Sequence, residues 1–111
     1  MCDHGTAIDL STDHKPDLPE ERSRILKAGG EVSEGRVNGM LALSRAIGDF
    51  EYKPIGPPKD ANAAWYLNNH MVTAFPDVMV KPMHKDIEFI ILACDGIWDC
   101  KTSDQVIQHY R

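Results

Sequence analysis

With 111 residues, 42% of them hydrophobic and 26% charged, the chain has the make-up of an ordinary globular polypeptide. It is long enough for one small domain that buries roughly 65% of its unfolded surface, and too short for two. A net charge of -5 argues against a nucleic-acid partner, which asks for a basic face, and the lack of a long apolar run argues against a membrane span.

Three cysteines, Cys2, Cys94 and Cys100, are an odd number with no Cys-x-x-Cys pair. Neither a disulfide framework nor a zinc site is indicated, so a reducing compartment, cytoplasmic or nuclear, is expected. Residues 6–10 read as a short strand, and residues 13–18 as a polar turn carrying Pro16. A helix over 20–28 is expected next. Pro19 suits its first turn, Glu20 and Glu21 precede Lys27 as the helix dipole favours, Gly29-Gly30 suits its end, and Ile25 and Leu26 supply its apolar face. Segments 32–37 and 41–46 flank Asn38-Gly39, a strong tight-turn signal, so a hairpin-like reversal is expected, although 41–46 also fits a helix. From 51 to 69 periodicity disappears and Pro54, Gly56, Pro57 and Pro58 accumulate, which marks a long functional loop. Residues 72–80 are strand-like with a break at Pro76-Asp77, and 82–86 form a turn. Thr102-Ser103-Asp104-Gln105 reads as a capping box opening a terminal helix through Tyr110, with Val106, Ile107 and Tyr110 facing inward. Strands interleaved with few helices make the fold class α+β.

The densest signal is Glu88-Phe89-Ile90-Ile91-Leu92-Ala93-Cys94-Asp95-Gly96-Ile97-Trp98-Asp99, where an apolar run ends in a carboxylate, a glycine and a second carboxylate. The run 89–94 shows no alternation, so a strand covered on both faces is expected, with Asp95 at its mouth. A carboxylate there, beside a glycine that removes bulk, suits a hard cation such as Mg²⁺ or Mn²⁺. A helical turn after Gly96 brings Asp99 to the same side, where a cation offsets the repulsion between the pair. Asp99 is otherwise a local cap or salt-bridge partner. Phosphotransferases that attack with an aspartate carry a second Asp two residues later, and here that position is Ile97.

Other polar residues read more plainly. Arg45 and Asp49 stand four apart and pair if helical, unless Arg45 meets a phosphate. His14 is expected to stabilise a turn, with a role as acid or base the alternative by residue type alone, while His4, His70, His84 and His109 lack metal-ligand spacing and are expected in solvent. Trp98 packs under the Asp95 loop, and Cys94 fills the core.

Asp13-His14-Lys15-Pro16, Ala28-Gly29-Gly30-Glu31-Val32, the run from Arg36-Val37-Asn38-Gly39 to Ser44-Arg45-Ala46-Ile47-Gly48-Asp49-Phe50, and Ala93-Cys94-Asp95-Gly96-Ile97-Trp98-Asp99 recur in one order. Together they resemble the metal-dependent serine/threonine protein phosphatases of the type 2C family, over nearly the whole chain. The resemblance implies that 1–111 is part of the family's domain, a portion of a β-sandwich flanked by antiparallel helical layers (α-β-β-α). It implies hydrolysis of phosphoserine and phosphothreonine in phosphoprotein substrates by water activated between two Mg²⁺ or Mn²⁺ ions. It matches Asp95 to a metal ligand, Asp99 to an acidic position near a weaker metal, and 51–69 to the flap beside the active site; Gly96 carries no ligand role. The family's Asp-Gly-His and later Asp-Asn metal motifs have no counterpart here, and residues 1–10 resemble the second half of a hairpin whose first strand is absent. The chain is therefore expected to be a middle-to-late slice of the domain, inactive in isolation, with no catalytic residue assigned. A fragment acting only by binding, or a small metal-binding protein built on Asp95 and Asp99, are the alternatives.

Overall fold

His4 (φ 48°) and Gly5 (φ 74°) both occupy the left-handed region and reverse the chain in two residues. That geometry matches the right-handed twist of the strands it joins. It pairs β1 (Cys2–Asp3) with β2 (Thr6–Ala7), Cys2 opposite Ala7 and Asp3 opposite Thr6. The chain thus carries both strands of its first hairpin, where the sequence pointed to one strand over 6–10. The signal was muted because histidine replaces the more familiar Asn before Gly, though it too is enriched at positive φ.

The computed structural model describes residues 1–53, 59–62, 64, 65 and 69–111. These fall into two compact units, one of Met1–Thr12 with Val78–Arg111 and one of Asp13–Asp77. Helices and short antiparallel sheets make the class α+β, as expected. No described helix is long and apolar enough to cross a membrane.

In the first unit the sheet order is β2-β1-β5, with β5 (Ile87–Phe89) antiparallel to β1 through Cys2 opposite Phe89 and Asp3 opposite Ile87, and an irregularity between the two. Cys2 is fully buried. The one-turn helix α2 (Asp95–Trp98) and helix α3 (Ser103–Tyr110) follow. The capping box forms as read: Thr102 Oγ1 accepts from Gln105 N–H at 3.3 Å, and Gln105 Oε1 accepts from Thr102 N–H at 3.0 Å. Val106 and Ile107 are buried, whereas Tyr110, expected inside, is exposed.

The expectation of a strand covered on both faces does not hold in this chain. The β5 ladder stops at Phe89, Ile90 is half-exposed, and Leu92 is 89% exposed. An apolar strand buried on both faces needs neighbours on both edges and layers above and below. Among the described residues β5 has β1 alone.

In the second unit α1 (Pro19–Lys27) starts at a proline, has Glu20 and Glu21 in its first turn, and ends in a Schellman closure. Gly30 N–H bonds the Ile25 carbonyl at 2.9 Å and Gly29 N–H the Leu26 carbonyl at 3.0 Å, with Gly29 at φ 84°. Ile25 is buried but Leu26 is half-exposed, because the inward face also takes Glu21 and Arg24. The hairpin β3 (Val32–Ser33) with β4 (Arg36–Val37) turns at Glu34-Gly35, both at positive φ. Asn38-Gly39 makes a second tight turn just after it, with Val37 N–H bonding the Leu41 carbonyl at 2.8 Å. The predicted reversal is there, but the strand arm over 32–37 is itself a hairpin, and 41–46 is not a helix: its Arg45 bridges Thr73 in parallel. Ile25, Val37, Tyr52 and Val72 form the core, with Val32, Leu41, Ala46 and Met71 against it. In the 51–69 segment Phe50–Tyr52 opens as a 3-10 turn; residues 54–58, 63 and 66–68 lie outside the described residues, and most of the expected loop with them.

Candidate functional site

Past Phe89 the run leaves the ladder, Cys94 is extended (φ -86°, ψ 177°), and the chain then winds into α2 with Asp95 as its first residue. Ile97 N–H bonds the Cys94 carbonyl at 3.0 Å, and Asp99 N–H bonds the Asp95 carbonyl at 2.8 Å. The two carboxylates therefore flank one helical turn, the relation that the four-residue spacing called for. Trp98 Nε1 donates to the Ala93 carbonyl at 2.7 Å and ties the segment before α2 to the helix. A Cβ added at Gly96 would meet nothing within 4 Å, so the surface beside Asp95 is open.

Asp95, Gly96 and Asp99 are all exposed. Water solvates both carboxylates, so neither is an unpaired charge at the end of a buried strand. Cys94 is also exposed, not the core filler its apolar neighbours implied. Among the described residues no three His, Cys, Asp or Glu side chains converge as a metal-holding group. Asp95 and Asp99 offer the oxygen donors a hard cation takes, but two donors are fewer than the six or more such ions coordinate.

A second polar arrangement sits in the other unit and is buried. Glu21 is 1% exposed and receives Arg45 Nη2 at 2.5 Å, Arg24 Nη1 at 2.8 Å and the Ser44 hydroxyl at 2.6 Å. Burial pushes the Glu21 carboxyl up, but hydrogen bonds from Arg45, Ser44 and Arg24 outweigh it and hold it at about 2. Arg24 also donates to the carbonyls of His70, Ser44 and Met71, which leaves this buried guanidinium well satisfied. Arg45 continues to Asp77 at 2.8 Å, and Asp77 to His14 Nε2 at 2.8 Å. Hydrogen bonds from His14 and Arg45 lower the Asp77 carboxyl.

The pairing of Arg45 with Asp49 is thus replaced by Glu21 and Asp77. Arg45 sits in a parallel bridge to Thr73 and not in a helix, so a four-residue step does not bring two side chains together there. With its donors occupied, Arg45 is a structural tie and not a phosphate hook. The His14 side chain does not stabilise a local turn as expected; it pairs with Asp77, 63 residues on. The Glu21–Arg24 pair was legible as an i,i+3 contact on α1, but its burial was not.

Comparison with known proteins adds a separate line of observation. The family profile described as protein phosphatase 2C matches residues 1–111. Among curated relatives, the chain is 56% identical over 107 residues to protein phosphatase 2C homolog 2 of Schizosaccharomyces pombe, covering 96% of this chain and 27% of that protein. It is 52% identical over 101 residues to probable protein phosphatase 2C 60 of Arabidopsis thaliana, covering 91% of this chain and 26% of the relative. The chain spans about a quarter of the length of these relatives. Among solved structures, a phosphatase from a pathogenic strain of Toxoplasma gondii superposes with a TM-score of 0.53 at 46% identity, over 66% of this chain and 21% of the other.

Proposed function

Because the chain belongs to the protein phosphatase 2C family, we propose that it is part of a metal-dependent phosphatase acting on phosphoserine and phosphothreonine in proteins. In that domain Asp95 is a ligand of a divalent cation, Mg²⁺ or Mn²⁺, and Asp99 serves a weaker outer cation or caps the turn. The observation that carries this reading is the turn of α2, which presents Asp95 and Asp99 together onto an open surface. Oxygen donors on a short rigid element suit a hard cation that keeps some of its own waters.

Two carboxylates do not make a binuclear centre, so no step of the hydrolysis is assigned to the residues of this chain. The remaining ligands belong to the longer domain, and the uncovered apolar face of Ile90, Leu92, Ile97 and Tyr110 is where its further layers pack. The test is direct. The isolated 111 residues are incubated with a phosphothreonine peptide and excess Mn²⁺, and no turnover above a blank is expected. Turnover that chelator and Asp95→Ala both abolish would overturn the claim that the site is incomplete here. In a chain extended to the length of the relatives, Asp95→Asn is expected to collapse the metal-dependent rate while Asp99→Asn lowers it less; a wild-type rate for Asp95→Asn across a metal titration removes the ligand assignment.

A further inference from the structure

The hairpin turn at His4 and the turn that leads into β5 carry a group of four ionisable side chains that the Asp95 site does not use. His4 Nδ1 lies 2.8 Å from Asp3 Oδ1, and its Nε2 lies 3.5 Å from Asp86 Oδ2. His84 repeats the arrangement from the other side, with Nε2 at 3.3 Å from Asp3 Oδ2 and Nδ1 at 3.7 Å from Asp86 Oδ2. The two rings face each other at 6.2 Å between centroids. Each imidazole therefore has a carboxylate at both nitrogens, and each carboxylate has both imidazoles. The sequence reading, which left His4 and His84 to solvent, missed this because the partners are 80 residues apart.

A neutral imidazole has one N–H and leaves its other nitrogen as a lone pair aimed at an anionic oxygen, which repels it. An imidazolium donates from both nitrogens. With both rings protonated the ring of contacts closes as two cations against two anions. With both neutral, half of the contacts become repulsive and the two carboxylates lose their counter-charges. The four groups do not converge as a metal-holding set. We propose that Asp3, His4, His84 and Asp86 form a proton-dependent clamp that fastens the β1–β2 hairpin to the start of β5, the strand that runs on toward Asp95.

Neighbouring carboxylates favour the protonated form, and neighbouring cations oppose it. The His4 ring is raised from 6.5, first by its hydrogen bond to Asp3 and then by the charge of Asp86, with Glu88 adding and partial burial opposing. Asp3 is lowered from 3.8, first by the His4 hydrogen bond and further by His84, again against burial. The fixed cations are Lys85, which stands between His84 and Asp86 in the chain, and Arg111, whose Nε lies 3.3 Å from Glu88 Oε2 and whose guanidinium packs over Gly5. The signs follow from these directions. The His4 contribution is fully present below 6.5 and is lost as pH rises through its raised value; the Asp3 contribution is present above 3.8 and is lost as pH falls through its lowered value. The clamp is closed between those limits and opens on the alkaline side. One backbone bond, His4 N–H to the Asp86 carbonyl at 3.2 Å, remains in either state.

The experiment is amide hydrogen exchange on the whole chain at about pH 5.5 and about pH 8, corrected for intrinsic base catalysis, read at Cys2 and Phe89 in the β1–β5 pair. Protection is expected to fall by roughly threefold or more between the two, the scale of partly exposed charge pairs. In a His4→Asn, His84→Gln double variant it is expected to be low and flat; Asn tolerates the positive φ at position 4, so the turn survives. Protection that does not change with pH in the wild type, or an unchanged slope in the double variant, overturns the clamp, as does the absence of protection at the acidic point. As a second reading, the His4 imidazole titration by NMR should shift to lower pH in Asp86→Asn, and an unmoved midpoint overturns the proposal as well. Neither readout involves metal or turnover, so the clamp and the phosphatase reading stand or fall separately.

Discussion

Glu21 shows how a single buried charge becomes a structural joint. Its carboxylate gathers two guanidinium groups and a hydroxyl from α1 and from residues 44 and 45. Removing one partner of a buried pair leaves the other charge uncompensated, which typically costs about 3 to 5 kcal/mol. Glu21→Gln is expected at the lower end, about 3 kcal/mol, because Arg24 keeps three backbone acceptors. Urea unfolding followed at the Ile25 and Val37 methyl groups measures it, and a midpoint within error of wild type would mean the network is dispensable. Since burial raises the Glu21 carboxyl and its donors overcome that to hold it at about 2, its stabilisation is present above its ordinary 4.5 and drains away as pH falls toward 2. The acid limb of a pH–stability curve should flatten in the Gln variant. Asp95 behaves oppositely: it is exposed, so Asp95→Asn is expected to leave the melting temperature of this chain unchanged.

Glycines separate two kinds of element. Gly39 has φ 70° and open space around the position of a Cβ, so Gly39→Ala meets no clash and isolates the backbone strain of a left-handed residue, about 1 to 2 kcal/mol. Gly96 also has open space but sits inside α2. Gly96→Ala should therefore be neutral or stabilise by about 0.5 to 1 kcal/mol through helix propensity. Thermal melts of the pair decide this, and equal destabilisation by both would show that Gly96 is held in a conformation the helix does not require. At this scale much was legible in advance. Pro19, the early acids and Gly29-Gly30 bounded α1; Thr102 and Gln105 capped α3; Asn38-Gly39 turned. These are local signals, each a hydrogen bond or a φ value satisfied within a few residues. Illegible were the hairpins at His4-Gly5 and Glu34-Gly35, whose first residues are less usual at positive φ, and the end of β5, which pairing sets and hydrophobicity does not.

For the molecule as a whole, the apolar side chains left in water are the main fact. Leu92 is 89% exposed, Val80 86% and Val78 82%, all in the unit that carries Asp95. Large apolar side chains exposed to this degree favour association or packing against further structure. The isolated chain is expected to bind a hydrophobic dye and to self-associate with concentration, and Leu92→Lys with Val80→Lys should reduce both without changing the far-ultraviolet circular dichroism. Absence of dye binding, with a sharp melt at all concentrations, would contradict it.

Short-range information in the chain was enough to define α1, the capped α3, the Asn38-Gly39 turn and the helical turn from Asp95 to Asp99, because each depends on backbone conformations and bonds that neighbouring residues supply. The ordered blocks of residues were enough for the family. Which charges meet was another matter. Arg45 with Glu21, His14 with Asp77, and His4 and His84 with Asp3 and Asp86 join positions mostly distant in sequence, and ion pairing depends on distance in space and on the water excluded around it. Burial was settled the same way: the run after Phe89 is apolar enough to be covered, but covering it takes neighbouring layers, and those are a property of packing.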